Sequence, residues 1–156
     1  MKTEDVLSAL FFEVFNNKKS IRFILNGSSM YPALKDGDIL TVKSISFHEA
    51  EAGDILAYQH IATKRIIIHR MVKRNHEDNS IATAAEAGRY FKYDPPLTQD
   101  KYLVSKVIAI ERGARRVDLT TPVNVLKARI RTYIFIHCHI LIRIQQKIYR
   151  LFGRLY

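Results

Sequence analysis

Asn26-Gly27-Ser28-Ser29-Met30-Tyr31-Pro32-Ala33-Leu34-Lys35-Asp36-Gly37-Asp38-Ile39-Leu40 packs two adjacent hydroxyls, a glycine before them, a proline after them and an Asp-Gly-Asp turn into one short segment. Ile21 to Leu25, just before it, is β-prone, and Ile39 to Val42 reads as a strand leaving the turn. Pro32 sets a bend, and Tyr31 ahead of it is biased to extended geometry. Gly53-Asp54 repeats the same turn-then-strand grammar before Ile55-Leu56-Ala57-Tyr58.

The pattern continues along the chain. Ser44 to Ala52 reads as a loop, and the β-branched run Ile66-Ile67-Ile68 predicts a buried strand that Met71-Val72 extends past His69 and Arg70. Polar Asn75 to Ser80 is a hairpin turn into Ile81-Ala82-Thr83. Gly88 to Gln99 is a longer loop holding Asp94-Pro95-Pro96, Lys101 to Ile110 is the last strand, and Arg112-Gly113 closes the β region. Short strands separated by regular turn signals predict a mainly β, antiparallel domain.

Helices flank it. Over residues 3 to 16, Thr3 is a suitable N-cap, Glu4 and Asp5 suit the first turn, and Val6, Leu10, Phe11 and Phe15 recur at helical spacing. From Pro122 onward one or two helices are expected. Leu126, Ile130, Tyr133/Ile134, His137, Ile140/Leu141, Ile144, Ile148, Leu151/Phe152 and Leu155 form an apolar stripe, with Lys127, Arg131, Arg143, Lys147, Arg150 and Arg154 largely off it. The expected organisation is an N-terminal amphipathic helix at 1–20, a β domain at 21–113 and a basic amphipathic helical tail at 114–156.

A chain of 156 residues, 47% hydrophobic, is enough for one domain with a real core. Its single Cys138 rules out an intramolecular disulfide framework, and no cluster has zinc-ligand spacing. His137 and His139 flank Cys138, but helical neighbours two apart point to different faces, so no metal is expected there.

The net charge of +10 is unevenly placed. Residues 112–156 hold ten Lys/Arg against Asp118, whereas 1–111 hold 15 basic and 14 acidic residues. This asymmetry points to an anionic partner for the tail, a lipid surface or nucleic acid. Burial of the stripe in a membrane interface is one expectation; packing of the stripe on the β domain or another subunit is the other. Nucleic acid is disfavoured, because the basic residues alternate with long aliphatics and no helix-turn-helix precedes residue 25.

No secretory signal peptide is expected, since Glu13 and Asn16-Asn17 break the first apolar stretch. The longest uncharged run of the tail, Thr132 to Ile142, is far short of the ~20 residues a spanning helix needs. The expected location is therefore peripheral at a membrane, or cytoplasmic.

For chemistry, the candidates are Ser29, held in a turn between glycine and proline, and His69. A serine hydroxyl needs a neighbouring base to take its proton, and imidazole, which ordinarily titrates near ~6.5, is a base suited to neutral pH. Spacing alone does not establish that the two meet.

The stretch from Gly27 to Leu34, followed by Gly37-Asp38-Ile39-Leu40, resembles the nucleophile box of the signal peptidase I superfamily: a Ser-Met pair, one residue, a proline, then a Gly-Asp. Gly53-Asp54-Ile55-Leu56-Ala57-Tyr58 is similar to that family's second Gly-Asp strand, and His69-Arg70-Met71-Val72 to its base box. The boxes fall in the family's order across residues 25 to 72, and a weaker match continues through Gly88, Asp94-Pro95-Pro96 and Ser105-Lys106-Val107.

The resemblance implies a signal-peptidase-like β domain and a serine endopeptidase acting on a peptide or preprotein, without a cofactor. It implies Ser29 as nucleophile and His69 as general base, as in the Ser-His branch of endoplasmic-reticulum, archaeal and sporulation-type enzymes. It makes Ser28 and Met30 oxyanion or substrate-binding candidates and Asp94 the acid that orients His69. Two departures stand out: Arg89 follows Gly88 where that branch has an Asp, and the sequence predicts no transmembrane helix where that family usually has an anchor. The alternatives are a catalytically inactive binding module on the same scaffold, or a regulatory protein docking on membrane or nucleic acid. The oligomeric state is left open.

Overall fold

The structure is a computed structural model that describes residues 3–17, 19–87 and 92–152, with 138–152 as helix backbone only and the α1 side chains in part. Gly88, Arg89 and the side chains of Cys138 and His139 lie outside the described residues.

The chain runs α1 (Thr3–Asn16), β1 (Ser20–Ile24), β2 (Ile39–Ser44), β3 (Ile55–His60), β4 (Ile66–Asn75), β5 (Ser80–Ala84), β6 (Tyr102–Arg112), β7 (Arg115–Asp118) and α2 (Pro122–Phe152). The expected loop between β2 and β3 contains one 3-10 turn, Phe47–Glu49. All seven strands join one antiparallel sheet, six in the order β1-β2-β6-β3-β4-β5 and β7 paired with β6 off that path. The fold is thus mainly β and antiparallel, with a helix at each end, as the turn-and-strand grammar predicts.

β6 is long enough to serve two neighbours along one edge. Its first half pairs with β3 through Tyr102–Lys106 and its second half with β7 through Ala109–Arg112, while β2 occupies the other edge. β7 is an addition to the sequence reading, which ends the sheet at Gly113. Gly113 sits at φ +57, a left-handed value that glycine adopts at low cost, and turns the chain back onto β6. Every residue of β7 is exposed, so no alternation marks it as a strand.

Both faces of the sheet are covered. Ile55 and Ala57 join a core with Phe11, Leu25, Met30, Leu34, Leu40, Val42, Val107 and Ile110. Leu56 and Tyr58, pointing the other way along the same strand, join Phe47, Met71, Ile81, Leu97 and Val104. β3 is therefore a central strand buried on both sides. The Ile66-Ile67-Ile68 run departs from expectation: all three are half-buried, because β5 pairs with β4 only from Arg70 to Asn75 and leaves this half of β4 at the sheet edge.

α2 is a single helix, and its first half rests on the sheet. A Cβ on Gly53, at φ +102, would lie 3.1 Å from the Arg129 backbone nitrogen, so glycine is what lets the helix backbone approach. Thr132 is buried, and Phe135 and Ile136 pack against Val72 and Ala84.

Candidate active site

Three adjacent strands send one side chain each to the same face of the sheet. His69 on β4 lies opposite Leu56 on β3, and Tyr58 sits two residues further along β3, hence on the same side. Met71 shares that side with His69 and lies opposite Thr83 on β5. The loop after β5 then returns over this face. Asp94 N–H donates to the Thr83 carbonyl at 2.9 Å, with bridges Ala84↔Tyr93 and Ile81↔Leu97 on either side. Strand register assembles Tyr58, His69 and Thr83, and the returning loop adds Asp94.

Asp94 Oδ2 is the hub. It lies 2.7 Å from His69 Nδ1, accepts the Thr83 hydroxyl at 2.7 Å and the Tyr58 hydroxyl at 3.2 Å. The Tyr58 ring also meets the His69 ring edge-on, with centroids 6.5 Å apart. Burial by itself would raise the Asp94 pKa; the hydrogen bonds from His69, Thr83 and Tyr58 outweigh that and hold it below its ordinary value of 3.8. The Tyr58 hydroxyl moves the other way, raised by burial and by the neighbouring Asp94 charge. Asp94 is therefore an ionised acceptor, and an ionised carboxylate has no proton to offer. Nδ1 of His69 must then carry the hydrogen, which leaves Nε2 as the basic nitrogen of the neutral ring.

The Ser29 turn is held from below and behind. Leu25 N–H bonds the Asp38 carbonyl at 2.8 Å and Gly37 N–H bonds the Leu25 carbonyl at 2.9 Å, closing the loop at its base. The Asp38 carboxylate is buried; it accepts the Lys35 N–H and is clamped by both Nε and Nη2 of Arg112 at 2.7 and 2.6 Å. Those Arg112 hydrogen bonds hold Asp38 below the ordinary carboxylate range against the opposing effect of burial. Within the loop, Gly27 sits at φ +125 and donates to Asp36 Oδ1, and the Tyr31–Pro32 peptide is cis.

Met30 and Leu34 plug the loop into the core at 1% and 0% exposure, whereas Ser28 and Ser29 are exposed. The Met30 side chain is an anchor packed among apolar residues of the core, so any part it plays at the site falls to its backbone. Ser28 uses its carbonyl to accept Tyr31 N–H at 3.0 Å, and its hydroxyl is open to solvent.

A main-chain bond joins the two halves. Ala87 N–H donates to the Ser29 carbonyl at 2.8 Å, just beyond the end of β5, whose Ala84 pairs with Arg70, the residue after His69. Among the described residues no hydrogen bond links the Ser29 hydroxyl to His69, and none engages the Ser29 N–H. The His69–Asp94 half is assembled; the Ser29 turn is tied through backbone to the segment that follows β5.

Several supports of the site have no local signal in the sequence. In the sequence Tyr58 and Thr83 carry only strand signals; the Leu56–His69 register is what puts Tyr58 beside the imidazole. Arg70, 4% exposed, pairs with the equally buried Glu86 and donates to the Gly53 carbonyl at 2.5 Å. Arg131 of α2 lies 2.7 Å from the other Glu86 oxygen, a charge pair without hydrogen-bond alignment. The acid beside the strand-end segment is thus held between two arginines.

A recess of about 660 Å³ lies elsewhere, between α2 and the β3–β6–β7 region, and includes none of Ser29, His69 or Asp94. Among the described residues no cluster of three or more His, Cys, Asp or Glu is placed to hold a metal, and no helix is long and apolar enough to cross a membrane. Comparisons with protein-family models, with curated proteins and with solved structures find no match for this chain.

Proposed function

We propose that the protein is a serine endopeptidase of signal-peptidase type, with Ser29 as nucleophile and His69 as general base oriented by Asp94. The observation that carries this reading is the 2.7 Å His69–Asp94 contact, in which an ionised carboxylate selects the imidazole tautomer a base requires.

In the proposed reaction His69 Nε2 takes the Ser29 hydroxyl proton as the Ser29 oxygen attacks a peptide carbonyl carbon. The Ser29 N–H, with Ser28 beside it, is the donor set available to the developing oxyanion. The same proton passes from Nε2 to the departing amine, leaving an ester on Ser29. Water, deprotonated by His69, then hydrolyses that ester and restores both residues. A serine–histidine hydrogen bond that is open in the resting enzyme commonly tightens when substrate binds. Ser28 and Ser29 are solvent-exposed on their turn, which suits an extended segment of a larger chain as substrate.

The lack of a Ser29–His69 hydrogen bond among the described residues also favours a second reading, a binding module that keeps the scaffold without turnover. Reaction with a serine-directed fluorophosphonate, followed by peptide mapping, separates the two. Adduct on Ser29, lost in Ser29→Ala and strongly reduced in His69→Ala, is the expected result. A wild-type chain that stays unlabelled and cleaves no peptide leaves the binding-module reading standing.

A further inference from the structure

We propose that α2 docks on an anionic lipid surface through the side that faces away from the sheet. This does not depend on the peptidase reading. At ~100° per residue, Ala128, Thr132 and Phe135 share one face of the helix, and that is the face applied to the protein. The opposite face carries Val123, Leu126, Ile130, Tyr133 and Ile134, each more than half exposed. The stripe singled out in the sequence is therefore not the docked face. It is left over after docking, and helices of a folded domain normally spend their apolar face on the core.

Charge identifies the occupant. Lys127 and Arg129 lie about 80° to either side of the stripe axis by the same helical count. Lys127 and the nearby β7 residue Arg115, both lining the recess beside α2, have no carboxylate partner among the described residues. Among the described residues Arg129 pairs with the exposed Glu51, a surface pair of little strength. An apolar stripe bordered by cations complements acyl chains beneath anionic headgroups. A second copy of the chain would bring the same cations against themselves, since residues 112–156 carry ten Lys/Arg and one acid. Nucleic acid would satisfy the cations and leave five apolar side chains in water. In the sequence the stripe continues in phase through Ile140, Ile144 and Ile148.

The test is co-sedimentation of the full chain with phosphatidylcholine vesicles, with and without phosphatidylglycerol, over a salt series. Binding to the anionic vesicles should exceed binding to the neutral ones by at least about tenfold and weaken with salt. Leu126→Asp and Ile130→Asp should each reduce it about tenfold or more while the thermal midpoint holds, because both side chains are solvent-exposed. Lys127→Glu should weaken binding to anionic vesicles alone. Unchanged vesicle binding in both aspartate variants overturns the proposal. So does a wild-type chain that ignores vesicles, whether it dimerises through the stripe in sedimentation velocity or shifts DNA instead.

Discussion

Ala87 donates its backbone N–H to the Ser29 carbonyl at 2.8 Å, and the residue before it, Glu86, is held by Arg70 from the sheet and Arg131 from α2. The segment that seats the serine turn is thus also the mooring point of the C-terminal helix. Glu86→Gln would leave Arg70 buried without its counter-charge. We expect a loss of about 3–5 kcal/mol in urea unfolding at an unchanged m-value. Hydrogen exchange should quicken in the first half of α2. A midpoint equal to wild type would show that Arg70 finds other partners.

Asp94→Asn tests the orienting role directly. An amide can present N–H to Nδ1 and so favour the wrong imidazole tautomer. With a cleavable peptide in hand, kcat should fall by about 10²- to 10⁴-fold while KM changes little. Thr83→Val removes one of three donors to Asp94 and should cost far less. Equal losses in the two variants would mean that the face is merely structural.

Stability should fall in acid, with a sign set by two carboxylates. Asp94 and Asp38 both have folded pKa values below the ordinary 3.8. Their contribution is complete above about 3.8 and is lost as pH falls through the depressed folded values. Chemical unfolding followed across that range should show the decline, and Asp38→Asn and Asp94→Asn should each flatten it. A slope unchanged in both variants would assign the acid sensitivity to other groups.

Gly53→Ala places a methyl group 3.1 Å from the Arg129 nitrogen at a φ of +102. Backbone strain and the clash with α2 act together, and the loss should be about 1–3 kcal/mol. Gly27→Ala meets nothing within 4 Å, so it carries the φ cost alone and should lose less. Thermal midpoints of the two variants check the order.

The strands were legible because their signals are local. Asp36-Gly37-Asp38 and Gly53-Asp54 are turns by backbone preference, and the β-branched runs after them extend whatever the rest of the chain does. β7 was not legible, since Arg115-Arg116-Val117-Asp118 is exposed throughout and is a strand only because β6 offers an unpaired edge. Met30 read as a site residue by its place next to Ser29, yet it points into the core. Adjacency in sequence sends neighbours to different environments.

By itself, the sequence determined the order of strands and turns, the helices at both ends, the basic tail, and the residue types from which a hydrolytic site could be made. Those follow from propensity, periodicity and charge, which act within a few residues. Only the tertiary structure decided that Asp94 comes back across the sheet to His69, that Tyr58 and Thr83 join it, and that α2 docks with the face opposite its apolar stripe. Each of these depends on which strands pair and in which register, a choice made by burial of the whole core. The turn that presents Ser29 belongs to both levels: local chemistry bends it, and Asp38, Arg112 and Ala87 decide where it is held.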